Sequence, residues 1–157
     1  FKVYYPREFY ASFFSIRAED FDPENILQGP DQVRERIREI NRQGMQASQK
    51  DKKLLPILEL ALELYARGLV FYPVDLYRSD ASKFLVEADG LLLPFSALPN
   101  LGSAAAQAIV DARDGSEYLS VEDFQQRSHA NKTAMEVLRK HGCLEGLPES
   151  TQLSLFA

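Results

Sequence analysis

The sequence predicts a mainly α-helical fold with a small β component, and three observations carry that reading. Apolar residues recur at turn spacing along several stretches that open at Pro, Asp or Asn and close at Gly. Between them lies one β-rich run, Val70-Phe71-Tyr72-Pro73-Val74-Asp75-Leu76-Tyr77. A second β signal follows, in which Lys83-Phe84-Leu85-Val86-Glu87 and Leu91-Leu92-Leu93 flank an Ala88-Asp89-Gly90 turn.

Taken in order, Pro6 opens a helix carrying Phe9, Tyr10, Phe13 and Phe14 at turn spacing, an aromatic cluster that must be covered. Asp22-Pro23 breaks the pattern. Asp31 is expected to cap a helix from Gln32 to about Gln43, with Val33, Ile37 and Ile40 on one face, arginines around the others, and Gly44 as its stop. Past the polar run Lys50-Asp51-Lys52-Lys53, Pro56 is expected in the first turn of a core helix. Its Ile57, Leu58, Ala61, Leu62 and Tyr65 form an apolar face that ends at Gly68. Pro73 argues for an edge position in any sheet, and the three leucines from Leu91 do not alternate as a half-buried strand would.

Length and composition bound the function modestly. The chain has 157 residues, of which 45% are hydrophobic and 26% charged, the balance of a soluble globular protein. No apolar run approaches the ~18 residues of a membrane span, and a membrane partner is not expected. The start, Phe1-Lys2-Val3-Tyr4-Tyr5-Pro6, has neither methionine nor signal-peptide layout and reads as a piece of a longer chain. A single cysteine, Cys143, with only His129 and His141 beside it, argues against a disulfide framework and against a zinc site, and fits a reducing cytoplasm.

The most informative stretch is Phe95-Ser96-Ala97-Leu98-Pro99-Asn100-Leu101-Gly102, followed by Ser103-Ala104-Ala105-Ala106-Gln107-Ala108-Ile109-Val110. A short apolar helix is expected to end at Pro99, and a tight turn with Gly102 as its unhindered backbone leads into a second helix. Ala104, Ala105 and Ala108 are expected to form a thin packing face. The free amides of Leu101 to Ala104 then point outward, with the positive end of the helix dipole behind them, and suit a phosphate. That is the outline of a helix-hairpin-helix that grips a DNA backbone through Asn100, Leu101, Gly102, Ser103 and Ala104. A tight turn between packed helices is the plainer alternative.

A second unit follows. Ser120 with Asp123 resembles a capping box opening a helix to Arg127, Ser128-His129-Ala130-Asn131 breaks it, and Asn131 caps a last helix from Lys132 to His141. Lys132 and Thr133 are the expected DNA contacts there, with Arg139 and Lys140 as further phosphate partners or simply favourable helix C-terminal charges. Charge gives little help. Residues 1–78 hold 12 basic and 12 acidic side chains, and residues 79–157 hold 6 basic and 11 acidic. The half proposed to meet DNA has no basic footprint, so a weak grip that assists a stronger binder is expected.

Gly146, Pro148, Glu149 and Ser150 are expected to free the chain from the fold as a flexible tail. Gln152-Leu153-Ser154-Leu155-Phe156 then places large apolar side chains in it. QLSLF looks like the peptide by which bacterial replication proteins bind the sliding clamp, with Gln152 orienting and Leu153, Leu155 and Phe156 filling a greasy pocket.

Jointly these residues resemble the C-terminal end of PolC-type DNA polymerase III alpha subunits, over essentially the whole chain. The stretches that carry the resemblance are Lys2-Val3-Tyr4-Tyr5-Pro6 with Glu8-Phe9-Tyr10-Ala11, Leu58-Glu59-Leu60-Ala61-Leu62-Glu63, Val74-Asp75-Leu76-Tyr77-Arg78-Ser79, Leu98-Pro99-Asn100-Leu101-Gly102, His141-Gly142-Cys143-Leu144-Glu145 and QLSLF. Asn100 departs from the family's usual glycine, although asparagine tolerates left-handed backbone angles. The resemblance implies that residues 1–78 are the distal fingers region, residues 79–147 a tandem helix-hairpin-helix domain on double-stranded DNA, and residues 148–157 a tail for the beta sliding clamp. It implies as further partners the rest of the polymerase chain and the replisome, at replication forks in the bacterial cytoplasm. It implies Mg2+ for the parent enzyme and no cofactor or catalytic residue here, because the family's paired carboxylates lie in the palm. Asp20, Asp22, Asp75 and Asp80 are expected to be solvated or capping carboxylates.

Two other classes remain open at this stage. A helix-hairpin-helix glycosylase would need a catalytic aspartate, for which Asp123 is available, but no lysine follows the hairpin until Lys132 and the chain has no tryptophan. A non-catalytic adaptor for clamp and DNA is the other, against which the truncated start argues.

Overall fold

Proline sets where the early helices begin. Pro6, Pro23 and Pro30 stand at the first positions of α1 (Pro6–Ile16), α2 (Pro23–Ile26) and α3 (Pro30–Gln43) in the computed structural model, which describes residues 2–150. There the missing N–H is no loss and the fixed φ is already helical. The break expected at Asp22-Pro23 is therefore a helix start, with the Asn25 N–H donating to the Asp22 carboxylate at 3.3 Å. For the same reason α3 is capped at Gly29, with φ 109°, rather than at Asp31. Asp31 falls in the first turn and pairs with Arg34 at 2.8 Å.

The next helix, α4 (Gln49–Ala66), starts earlier than its proline. Ser48 caps it, accepting the Asp51 N–H at 3.1 Å, so the Lys50–Lys53 run forms its first turns and Pro56 sits inside the helix. Pro56 cannot donate to the Lys52 carbonyl, a local loss that the buried face of Leu54, Ile57, Leu58, Ala61 and Leu64 outweighs. α4 packs along α3, where Arg36 bonds Asp51 at 2.8 Å.

Among the described residues three short strands make one sheet, β1 (Val70–Tyr72), β2 (Leu85–Glu87) and β3 (Gly90–Leu92), in the order β1-β3-β2. β2 and β3 are antiparallel across a loop of Ala88 and Asp89, and β1 runs parallel to β3. β3 is central and covered on both faces, which is why its leucines do not alternate. β1 is the edge that Pro73 required, although the strand stops at Tyr72. Gly90 belongs to β3, because a Cβ there would overlap the Val70 carbonyl.

The core forms around Phe14, whose ring meets those of Phe21, Phe71 and Phe84 with centroids 5.3–5.8 Å apart. One cluster of buried side chains continues from α1 to Leu144. Strands from both sides of residue 78 share the sheet, and the Ser15 hydroxyl accepts the Phe84 N–H at 2.8 Å.

The last three helices are α5 (Ser103–Asp111), α6 (Val121–Ser128) and α7 (Lys132–Lys140). The short helix expected before Pro99 is only one 3-10 turn, Phe95–Ala97. Pro94 and Pro99 bracket it too closely for an α-helical ladder to close. The architecture is mainly helical with a small sheet, as the sequence predicts.

The two glycines nearest these turns separate cleanly by substitution. Gly90→Ala should cost about 2 kcal/mol or more, as overpacking against fixed backbone does, whereas Gly102→Ala, whose Cβ would meet nothing within 4 Å, should cost no more than ~1 kcal/mol. Urea denaturation of both variants measures the difference.

Candidate nucleic-acid interface

Two turns in this chain are built alike. Asn100, with φ 71°, and His129, with φ 57°, are the non-glycine residues with positive φ among the described residues. Each is followed by one residue, then by an extended cap, Gly102 or Asn131, then by a helix, α5 or α7. Phe95 and Phe124 are fully buried at matching places before the turns, and Ile109 and Leu138 at matching places after them. The second unit therefore repeats the first, with α6 extending through Ser128 and a break of His129, Ala130 and Asn131. The Ser128 hydroxyl donates to the Phe124 carbonyl at 2.7 Å, which keeps that residue in the helix.

Geometry at the first turn differs from expectation in three respects. Gly102 has φ −67° and ψ 156°, ordinary extended backbone, so the left-handed residue is Asn100. The Leu101 N–H is not free. It donates to the Leu98 carbonyl at 3.2 Å, and the Leu101 side chain is buried. Ala104 and Ala108 face solvent, while Ala106 and Ile109 supply the packed side of α5. The small residues therefore thin the outer surface, where a ligand would approach.

Gly102 acts through what it lacks. Among the described residues no side chain caps α5, and the amides of Gly102, Ser103 and Ala104 have no acceptor. Gly102, the exposed Ser103 and Asn100 border a groove of about 310 Å³ that Glu19 and Ser96 also line. Three unsatisfied N–H groups with the helix dipole behind them make a preformed anion cradle.

The other two helix starts carry side-chain caps. At α6 the Asp123 N–H donates to Ser120 Oγ at 2.9 Å, and the Val121 and Glu122 amides donate to the Pro148 and Glu149 carbonyls at 2.8 and 3.2 Å. The chain through Glu149 is thus bonded to the fold and does not leave it at Gly146 as expected. At α7 the Ala134 N–H donates to Asn131 Oδ1 at 2.8 Å, leaving Lys132 and Thr133 exposed beside it. Lys132 makes no ion pair among the described residues, whereas Arg139 is held by Glu149 at 2.6 Å and Lys140 by Glu24 at 2.8 Å. The latter two are therefore not open phosphate partners.

One residue escaped the sequence reading. Arg127 donates to Asp114 at 2.8 Å, Ser116 Oγ at 2.9 Å, the Glu117 carbonyl at 3.2 Å and Asp123 at 3.3 Å, and lies 4.4 Å from the Tyr118 ring centroid. It ties the segment between the two turns to α6. Only the i,i+4 spacing of Asp123 and Arg127 pointed to it.

The loop carboxylates serve the backbone. Asp75 accepts the Tyr77 and Arg78 amides at 2.8 and 3.1 Å, and Asp80 accepts those of Ser82 and Lys83 at 3.0 and 2.9 Å. Among the described residues no group of three or more His, Cys, Asp or Glu side chains is placed to hold a metal ion. Cys143 is a free thiol that burial pushes up to about 12. No helix among the described residues is long and apolar enough to cross a membrane. Gln152, Leu153, Leu155 and Phe156 lie outside the described residues.

A repeated turn of this kind, ending in an open helix start, defines a class. The model of the helix-hairpin-helix motif family matches residues 68–153, and the chain belongs to that family. Over 99% of its length it is 56% identical to the DNA polymerase III PolC-type of Halalkalibacterium halodurans, 50% identical to that of Caldanaerobacter subterraneus and 47% identical to that of Bacillus subtilis. It spans 11% of the length of each of these relatives. The resemblance to PolC-type polymerases thus holds along the chain, as a match to one segment of them.

The ion pairs on α7 give the fold an acid limb. A hydrogen bond from Lys140 holds Glu24 below the ordinary 4.5, and one from Arg139 does the same for Glu149. A carboxylate lowered on folding stabilises fully above its unfolded value, and that contribution is lost as pH falls through the folded one. Thermal melts across the acid range should therefore show a falling Tm that Glu149→Gln partly flattens.

Proposed function

We propose that this chain is a segment of a bacterial replicative DNA polymerase that holds double-stranded DNA by its backbone and tethers the enzyme to the sliding clamp. The open start of α5 carries this reading. The Gly102, Ser103 and Ala104 amides donate to a phosphate, Asn100 and Leu101 shape the turn that aims them, and Lys132 and Thr133 meet a second phosphate. Contacts to phosphate carry no base information, so binding is independent of sequence. Few cations are involved, which makes the grip weak and its salt dependence shallow.

In this reading residues 1–78 are distal fingers, residues 79–147 the duplex-binding part, and residues 148–157 the clamp tail. Gln152, Leu153, Leu155 and Phe156 dock as a short anchored peptide. The match to PolC-type polymerases along the whole chain supports the assignment to such a polymerase. Nucleotidyl transfer with Mg2+ belongs to other parts of the parent enzyme and involves no residue of this chain. A weak peptide and a weak duplex grip then reinforce each other through effective concentration, giving long residence on DNA at the cytoplasmic replication fork.

Gly102→Asp separates the grip from the fold. An aspartate cap should stabilise α5 by about 1 kcal/mol while its charge fills the anion cradle, so Tm rises as duplex affinity falls in a fluorescence anisotropy titration. Equal affinity in the two proteins would show that the turn is scaffold only. Replacing Leu155 and Phe156 with alanine should abolish binding to immobilised beta clamp and leave duplex affinity unchanged.

A further inference from the structure

We propose that Glu19 makes the amide cradle of α5 selective for the singly charged phosphodiester of an unbroken strand over more highly charged phosphates, such as a phosphorylated strand end or free pyrophosphate, an inference that rests on the duplex-binding reading above. The groove at the cradle is lined by one carboxylate, Glu19, and by no Lys, Arg or His. What attracts an anion there is mostly uncharged. The Gly102, Ser103 and Ala104 amides are open, with roughly half a unit of positive charge from the helix dipole behind them. Ser96 adds a hydroxyl on the same wall, buried and without a hydrogen-bond partner among the described residues. A buried hydroxyl left unpaired is costly, and a ligand oxygen would satisfy it.

Glu19 is placed by the fold. It sits in a 3-10 turn, Ala18–Asp20, that packs against the Phe95–Ala97 turn leading to Asn100. Buried Ala18 and Phe21 anchor that turn on either side, while Glu19 is exposed and its carboxylate makes no ion pair or hydrogen bond among the described residues. Its charge is not spent elsewhere. Glu19, Pro99 and Asn100 also line a second groove, of about 360 Å³, where Arg36 and Lys140 are matched to Asp51 and Glu24 and Lys50 is outnumbered by Glu19, Asp20 and Asp22. A phosphodiester carries one negative charge and a phosphate monoester about −1.5 to −2 at neutral pH. Set against roughly half a unit of dipole charge, a full carboxylate charge on the groove wall turns each further negative charge on the ligand into a penalty. Sites that hold polyanions carry arginine or lysine, and this one carries glutamate. Such discrimination suits a polymerase, because nucleotidyl transfer consumes triphosphates and releases pyrophosphate, which would otherwise compete with the duplex.

The test is an NMR titration of the full 157-residue chain, read at the amides of Gly102, Ser103 and Ala104, with ionic strength held constant by sodium chloride. The probes are a short blunt DNA duplex with unphosphorylated ends and sodium pyrophosphate. In the unaltered chain the duplex should move all three amides. Pyrophosphate should saturate them several-fold more weakly than it does in Glu19→Gln. Glu59→Gln, which removes another exposed carboxylate outside both grooves, should behave as the unaltered chain. Equal pyrophosphate affinity in the unaltered chain and Glu19→Gln, or the same gain from Glu59→Gln, would overturn the proposal. If the duplex moves the amides in either case, the assignment of α5 to DNA survives and the role of Glu19 alone fails. A duplex that leaves the three amides unmoved defeats the duplex-binding reading itself, whatever pyrophosphate does.

Discussion

The close approach of Gly90 to the Val70 carbonyl is the constraint from which the remaining geometry follows. It lets β3 slide between β1 and β2 at hydrogen-bonding distance, which no residue with a side chain would permit at that place. β3 then carries the chain to Leu93, whose N–H donates to the Tyr72 carbonyl at 3.0 Å and whose carbonyl accepts Ser79 Oγ at 2.7 Å. Two residues later the Phe95 N–H donates to the Asp80 carbonyl at 3.0 Å. The strand exit thereby determines where Phe95 enters the core, and Phe95 in turn sets the direction in which the turn at Asn100 faces. A site made of backbone amides has no side-chain freedom with which to correct its aim, so its orientation has to come from the sheet behind it.

Local chemistry made much of this legible before any coordinates. Helix starts at Pro6 and Asn131 and stops at Gly44 and Gly68 follow from φ restriction and capping alone, and the structure places them there. Errors arose where two local signals competed. Pro56 suits a first helical turn, but Ser48 caps earlier and burial of five apolar side chains carries the helix through the proline. Pro30 and Asp31 both announce a start, and the residue with the fixed φ came first. The 3-10 turn at Phe95–Ala97 has the apolar content of a helix, and only the spacing of its two flanking prolines shows that it is too short to be one.

At the candidate site the sequence revealed the parts but not their division of labour. Glycine at position 102 looked like conformational freedom, and its role is the absence of a capping oxygen. The burden of a left-handed angle falls on Asn100, and on His129 in the repeat, which are both residue types that tolerate it. Hydrogen bonds made across the chain were out of reach of sequence reasoning. The Pro148 and Glu149 carbonyls that fill the start of α6 come from distant positions, and so does the Glu24 that occupies Lys140.

Those long-range bonds bear on why an acidic module could grip an acidic polymer at all. A net charge of −5 opposes approach to DNA at long range. Within the fold, Arg36, Arg127, Arg139 and Lys140 are already matched to carboxylates, so recruiting any of them for phosphate would leave a carboxylate unpaired beside it. Backbone amides carry no such debt. A glycine cap on α5 forgoes roughly a few tenths of a kcal/mol of helix stability relative to a side-chain cap, yet the donors it exposes have fixed spacing and lose no rotamer entropy when a phosphate arrives. In the proposed function, this arrangement trades a small constant loss in the fold for a grip that would be weak, rigid and insensitive to base sequence. A grip of that kind would hold a moving duplex without stopping it, provided that something else kept the protein near the DNA.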